Sequence, residues 1–223
     1  MSALFDKGYV VTAPLLAPAG CDDLLAALAP VAIDGAGTRR LLDHPACRAL
    51  ADTLRRNPTI APHLPADAVA IQCTLFEKSA DRNWLVALHQ DLSVPVAEQV
   101  ADAHLTGWAR KEGQWFVQPP PATLEQLLAV RLHLDDCGSD DGPLRVVPGS
   151  HRHGRLDGAR ALALREAIGE TTCPVARGAA MLMRPLLLHA SSRATGSSRR
   201  RVLHFLFGPA AAPFGLRWAP HPL

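Results

Sequence analysis

The stretch Trp84-Leu85-Val86-Ala87-Leu88-His89-Gln90-Asp91-Leu92 is an apolar, strand-like run that ends in a His-x-Asp pair. Alternate side chains of a β-strand share a face, so His89 and Asp91 project together while Gln90 points away. One imidazole and one carboxylate on the inner face of a sheet make two thirds of the 2-His-1-carboxylate arrangement that holds non-haem Fe(II). On an exposed strand the same tripeptide is only a solvated pair. The reading therefore depends on a third ligand elsewhere in the chain.

Working outward, the segments Ala68–Lys78, Arg131–Cys137, Leu144–Val147, Ala179–Arg184, Leu186–Ala190 and Val202–Phe207 read as short strands, separated by Gly, Pro, Asp and Ser punctuation. Many short strands with irregular connections fit a sandwich or jelly roll better than a βαβ fold. Before them, helices are expected over Cys21–Ala29 and Pro45–Arg56. Asp22 and Asp23 suit the first turn of one, and Pro45 starts and Asn57-Pro58 stops the other. A further helix is expected from Asp157 to Ile168, ended by Gly169, and Gln118–Pro121 reads as a stiff loop. The expected fold is mainly β, a double-stranded β-helix (jelly roll, cupin-like) with flanking N-terminal helices. It forms a single domain over residues 1–223.

Bulk properties restrict the function classes. A chain of 223 residues with 48% hydrophobic content can bury a substantial core, and a formal charge of +2 creates no field that would attract nucleic acid or an anionic membrane. The five cysteines are odd in number and widely spaced, without a C-x-x-C, which argues against a disulfide framework or zinc ribbon and for a reducing compartment. The opening MSALFDKGYVV lacks the pattern of a secretory leader, and no apolar run reaches the ~18 residues of a membrane helix. These features predict a cytoplasmic protein with no nucleic-acid or membrane partner.

The best third ligand is His189, closing the apolar run Leu186-Leu187-Leu188, 98 residues after Asp91. Such a position lies at the mouth of a barrel, where a ligand site forms. Three protein ligands leave octahedral positions open for a chelating cosubstrate and O2. Eleven residues beyond His189 stands Arg200, where a buried guanidinium would hold a carboxylate by a bidentate pair. Arg199 and Arg201 are rivals, because strand parity decides which side chain points inward. A second His-x-Asp, His133 and Asp135, is a rival metal pair. His44, His63, His104, His153, His204 and His221 have no partner at ligand spacing, which points to structural or surface roles.

Three segments together resemble the phytanoyl-CoA dioxygenase family of Fe(II)/2-oxoglutarate oxygenases: NWLVALHQDLSVPV at 83–96, RLHLDDCGSDDGPLRVVPGSH at 131–151, and LLHASSRATGSSRRRV at 187–202. The likeness runs from about residue 4 to 207, starting with FDKGYVV, and includes the D-G-x-L-x-V-x-P-G-S-H signature at Asp141–His151. The resemblance implies Fe(II) ligation by His89, Asp91 and His189. It implies that Arg200 holds the distal carboxylate of 2-oxoglutarate with help from the Ser191 hydroxyl, and that Trp108 and Thr74 line the cosubstrate pocket. In the P-G-S-H turn, Gly149 is expected to supply a positive φ and His151 a local hydrogen bond. The implied reaction, by a monomer or homodimer, oxidises an unactivated C–H bond of a small-molecule substrate and decarboxylates 2-oxoglutarate to succinate, with Asp91 favouring hydroxylation over halogenation. Substrate contacts are expected from the loops at Asp102–Pro121 and Pro209–Leu223. The rival class is a non-catalytic jelly roll that keeps the metal site as a remnant.

Overall fold

The computed structural model describes residues 3–31, 37–196 and 199–219; His221 lies outside them. Its strands, in chain order, begin with β1 (Tyr9–Val11), β2 (Gly37–Thr38), β3 (Val69–Lys78), β4 (Val86–His89), β5 (Val94–Val96), β6 (Thr106–Lys111) and β7 (Gln114–Gln118). The chain continues with β8 (Leu128–His133), β9 (Leu144–Val146), β10 (Thr171–Cys173), β11 (Ala180–Met183), β12 (His189–Ser191) and β13 (Arg200–Gly208). Six strands form a large sheet in the order β1-β11-β8-β13-β3-β2, and four form a smaller one in the order β10-β9-β12-β4. Every pairing in these two sheets is antiparallel. Two facing antiparallel sheets with crossing connections are the jelly roll expected from the strand pattern.

Side-chain parity explains why the large sheet has two different faces. On β13, Leu203, Phe205 and Phe207 join the cluster that includes Leu28, Leu50 and Leu54 of the N-terminal helices. The alternate residues Arg200, His204 and Leu206 line the cavity between the sheets. The same division holds on β8, where Leu128, Val130 and Leu132 pack on the helix side and Arg131 faces the cavity. Helix Pro45–Arg56 has the bounds read from the sequence, with the ring of His44 accepting a hydrogen bond from the Ala46 amide. Helix Gly158–Ile168 is capped by the Asp157 carboxylate and followed by Gly169. A short N-terminal helix, Ala3–Lys7, precedes β1, and the helix expected over Cys21–Ala29 runs from Pro18 to Leu28, starting earlier because proline is accepted in a first turn.

Two stretches differ from the sequence reading. Residues 102–121, expected to be loop, carry β6 and β7, which with β5 form a separate three-stranded sheet. Their hairpin turns at Glu112 (φ 51°) and Gly113 (φ 78°), two successive positive φ values of the kind a tight antiparallel turn requires. His151 does not bond locally: its Nε2 donates to the carbonyl of Phe5 at 3.1 Å and ties the P-G-S-H turn to the N-terminal helix. Gly149 does take a positive φ, 78°. All five cysteines are buried and free. Among the described residues no helix is long and apolar enough to cross a membrane.

Candidate metal centre and cavity

The metal-ligand geometry starts from one rung of a β-ladder. Strands β4 and β12 are antiparallel neighbours in which His189 lies directly opposite His89, and a bulge shifts the register before Ser191. Side chains directly opposed across two strands stand close together, and the two imidazole rings are 4.2 Å apart between centroids. Asp91 follows β4 after one residue, and its amide donates to the Pro185 carbonyl at 2.9 Å, pinning it beside the start of β12. The carboxylate sits between the rings: Oδ1 is 3.7 Å from Nε2 of His89 and Oδ2 is 3.8 Å from Nε2 of His189. These distances exceed those of a hydrogen bond. A ligand atom from each of the three residues lies within 4.8 Å of the others, so one ion can reach all three.

The protonation pattern suits a metal. Nδ1 of His89 is 2.8 Å from the Ala87 carbonyl, and Nδ1 of His189 is 2.9 Å from that of Leu187. A carbonyl can only accept, so each Nδ1 carries a proton and each Nε2 is the ring nitrogen turned towards Asp91. Burial lowers the His189 pKa to about 4 although Asp91 opposes the shift, so this ring is neutral at pH 7. Burial alone would raise the Asp91 pKa, but the positive charge that its surroundings can carry in the acidic range where it titrates, on His189, His204 and His89 and then on Arg131, holds it below its ordinary value. A neutral His189 ring and an ionised Asp91 carboxylate are the states that a divalent cation binds without displacing protons.

The triad opens onto a cavity of about 460 Å³ between the two sheets. Register with β3 resolves the arginine cluster. Arg200 pairs with Lys78 and points inward, 4% exposed, with one guanidinium nitrogen donating to the Gly142 carbonyl. Arg199 points outward to Glu77 at 2.8 Å, and Arg201 grips Asp135 at 2.6 and 2.8 Å. Asp135 is thereby spoken for, and among the described residues His133 and Asp135 join no metal-ligand cluster. Ser191 and Thr74 are buried and line the cavity. The Ser191 hydroxyl accepts from the buried ammonium of Lys78 at 2.7 Å, and Thr74 accepts from Gln72 at 2.8 Å.

Trp108 corrects the expectation drawn from spacing. It sits on β6 in the separate sheet, edge-to-face with Trp115 at 6.4 Å, and is not on the cavity wall; Trp84 and Phe116 supply the aromatic lining. Sequence reasoning also missed Arg131 and His204. They are cross-strand partners on β8 and β13, joined by a 2.8 Å bond from Arg131 Nη1 to His204 Nδ1, and both face the cavity. The available signal was a charged or polar residue at alternating positions inside otherwise apolar runs (Arg131 and His133, then His204). His104 has a partner after all, Asp102 at 2.9 Å, at the surface.

The profile of the family described as Phytanoyl-CoA dioxygenase (PhyH) matches residues 5–202. Among solved structures the chain is similar to SnoK, a non-haem alpha-ketoglutarate-dependent carbocyclase from nogalamycin biosynthesis, with 17% identity, a TM-score of 0.68 and coverage of 98% of this chain and 85% of that one. HygX from Streptomyces hygroscopicus, with nickel, 2-oxoglutarate and hygromycin B bound, is similar at 18% identity and TM-score 0.66, covering 98% and 94%. EctD from S. alaskensis, in its apoform, is similar at 16% identity and TM-score 0.66, covering 99% and 80%. At such identities the likeness establishes the jelly-roll fold. No curated protein matches the chain in sequence.

Proposed function

This chain belongs to the phytanoyl-CoA dioxygenase family and is an Fe(II)- and 2-oxoglutarate-dependent dioxygenase, and we propose that it hydroxylates, or otherwise oxidises, an unactivated C–H bond of a small molecule. His89, Asp91 and His189 hold the metal, the Arg200 guanidinium receives the distal carboxylate of 2-oxoglutarate, and the Ser191 hydroxyl and Thr74 line the cosubstrate's seat. The observation that carries this reading is the convergence of both Nε2 atoms and the Asp91 carboxylate on the wall of a cavity that Arg200 also lines.

The residues have separable tasks. The Nδ1–H bonds to Ala87 and Leu187 hold the imidazoles in a single tautomer and orientation. Lys78 donates to the Ser191 hydroxyl, so the proton of that hydroxyl is free to point at an incoming carboxylate. Arg200, buried beside the Gly142 carbonyl, offers a desolvated cation, where charge-assisted pairing is strongest. Buried His204 has a pKa of about 3, lowered by burial and then by Arg131, so it stays neutral and adds no charge beside the metal ligands. When bound, the metal with 2-oxoglutarate and O2 supplies the oxidising chemistry, with succinate and CO2 as co-products. The protein's part is to position and shield that chemistry. Retention of Asp91 as the carboxylate ligand favours hydroxylation over halogen transfer.

Anaerobic titration with Fe(II) and 2-oxoglutarate tests this reading through the visible metal-to-ligand charge-transfer band. The wild type is expected to develop the band. R200M should raise the 2-oxoglutarate Kd by about a hundredfold or more, the loss of one partner from a desolvated charge pair, whereas R199M and R201M should stay within about threefold because their partners lie outside the cavity. Equal effects of all three substitutions, or no band in the wild type, would overturn it. D91A should release no succinate in air.

A further inference from the structure

We propose that the substrate of this oxygenase is an anion, carrying a carboxylate or a phosphate, and that its negative group is received by Arg131 and Lys111. The proposal rests on the reading above and extends it to the substrate class. Four cationic side chains line the cavity, Arg39, Lys111, Arg131 and Arg200, against a single acid, Asp91. Arg39 is answered from outside the wall by Glu112, whose carboxylate takes its guanidinium at 2.8 Å and its backbone amide at 2.8 Å. A divalent cation and dianionic 2-oxoglutarate cancel each other, and Asp91, whose field acts on both Arg131 and Lys111, carries one charge and can balance only one of the cations that remain. Positive charge is therefore in excess in the cavity, and among the described residues neither Arg131 nor Lys111 makes an ion pair with an acid.

Arg131 makes the stronger case of the two. It is 6% exposed, its Nε has no hydrogen-bond partner, and its one side-chain bond goes to the neutral ring of His204. Its guanidinium also lies over the ring of Phe76 at 5.4 Å. Burial followed by repulsion from Arg200 lowers its pKa only to about 10, so it remains charged at pH 7. A buried cation without a partner is costly, and the chain does not lack acids for its arginines, since Arg199 and Arg201 each have one on the outer side. Strand parity turns Arg131 inward, where only a ligand can complete it. Lys111 reaches the same cavity from the three-stranded sheet, its ammonium over the Phe116 ring at 4.8 Å. The rest of the wall, with Trp84, Leu92, Phe116 and Leu124, suits an apolar or aromatic body on the same molecule.

The test uses a shape-matched pair of probes, benzoate and benzamide, added anaerobically to protein saturated with Fe(II) and 2-oxoglutarate, with the charge-transfer band as the readout. Benzoate is expected to perturb the band with at least tenfold higher affinity than benzamide. R131Q and K111M should each weaken benzoate at least tenfold while leaving the 2-oxoglutarate Kd within threefold. K111M, at the edge of the cavity, decides the matter if R131Q fails to fold. The proposal is overturned if both probes act equally, if neither acts, if benzoate bleaches the band by displacing 2-oxoglutarate, or if R131Q weakens 2-oxoglutarate as much as benzoate. Failure of the parent reading is seen earlier and separately, as the absence of any band before a probe is added.

Discussion

Lys78 carries an ammonium group into the interior: it is 1% exposed and bonded to the Ser191 hydroxyl at 2.7 Å and the Ser192 carbonyl at 2.6 Å. Burial, and after it the charge of Arg200, lower its pKa from 10.5 to about 8. The unfolded chain therefore holds this proton more tightly, and between pH 8 and 10.5 the unfolded state binds more protons than the folded one. Stability must rise with pH across that window, by up to about 3 kcal/mol. Urea unfolding of wild type and K78M at pH 7.5 to 10 should show the wild type gaining on the variant as pH rises; a constant gap would refute the depressed value. The neighbouring arginines show where single-residue reading stops. Three consecutive arginines were visible in the chain, but the choice of Arg200 needed its register with Lys78 on β3, a contact more than a hundred positions distant. Trp108 failed for the reverse reason: spacing along the chain says nothing about which sheet a residue joins.

At the scale of elements, the strand pair β4–β12 sets the metal centre, and Gln90 fastens it. Its amide nitrogen donates to the carbonyls of Gly154 and Leu186 at 2.8 and 2.7 Å, and its oxygen accepts from the Leu156 amide at 2.9 Å. The residue between the two ligands thus ties the His-x-Asp segment to the loop before helix Gly158–Ile168 and to the run before β12. Replacing Gln90 by Ala orphans buried backbone groups and should cost roughly 2–3 kcal/mol. It should also loosen Mn(II) binding several-fold, measured by thermal melting and by paramagnetic resonance titration. An unchanged melting temperature would refute the fastening role. Most strands of the two main sheets were legible because their apolar alternation is strong and their breaks are rich in Gly, Pro and Asp, whereas the short β2 and β10 carry no such pattern. The sheet of β5, β6 and β7 was hidden because Pro95, Gly107 and the charged residues Arg110 and Lys111 dilute the same signal. The Glu112-Gly113 turn was its one readable mark.

For the whole molecule, a site built between two sheets couples ligand binding to the integrity of both. Ligands that bind only the folded state stabilise it by mass action, about 2.7 kcal/mol at a hundred times Kd, equivalent to several degrees in a chain of this size. Mn(II) with 2-oxoglutarate should therefore raise Tm by roughly 5–10 °C, and EDTA should reverse the gain. D91A should show almost none of it, and an equal shift in that variant would place the metal elsewhere. The sequence disclosed the architecture because jelly-roll patterning is repeated in many strands. It disclosed the three candidate ligands because they sit at or just beyond the ends of such strands. It left the cavity's charge balance unread, because that depends on which cations face inward across sheets distant in sequence.

The direct opposition of His89 and His189 has a consequence for how such a chain can change over time. Both imidazoles hang from the same rung, so the surface loops of the polypeptide that separates them can be lengthened or exchanged without moving either nitrogen, as long as Asp91, the anchors of Gln90 and the pairing of β9 with β12 are kept. Deleting one residue inside β4 or β12 would instead swing an imidazole to the far side of its strand. New specificities can thus be grafted onto those loops while the oxidising heart is inherited intact.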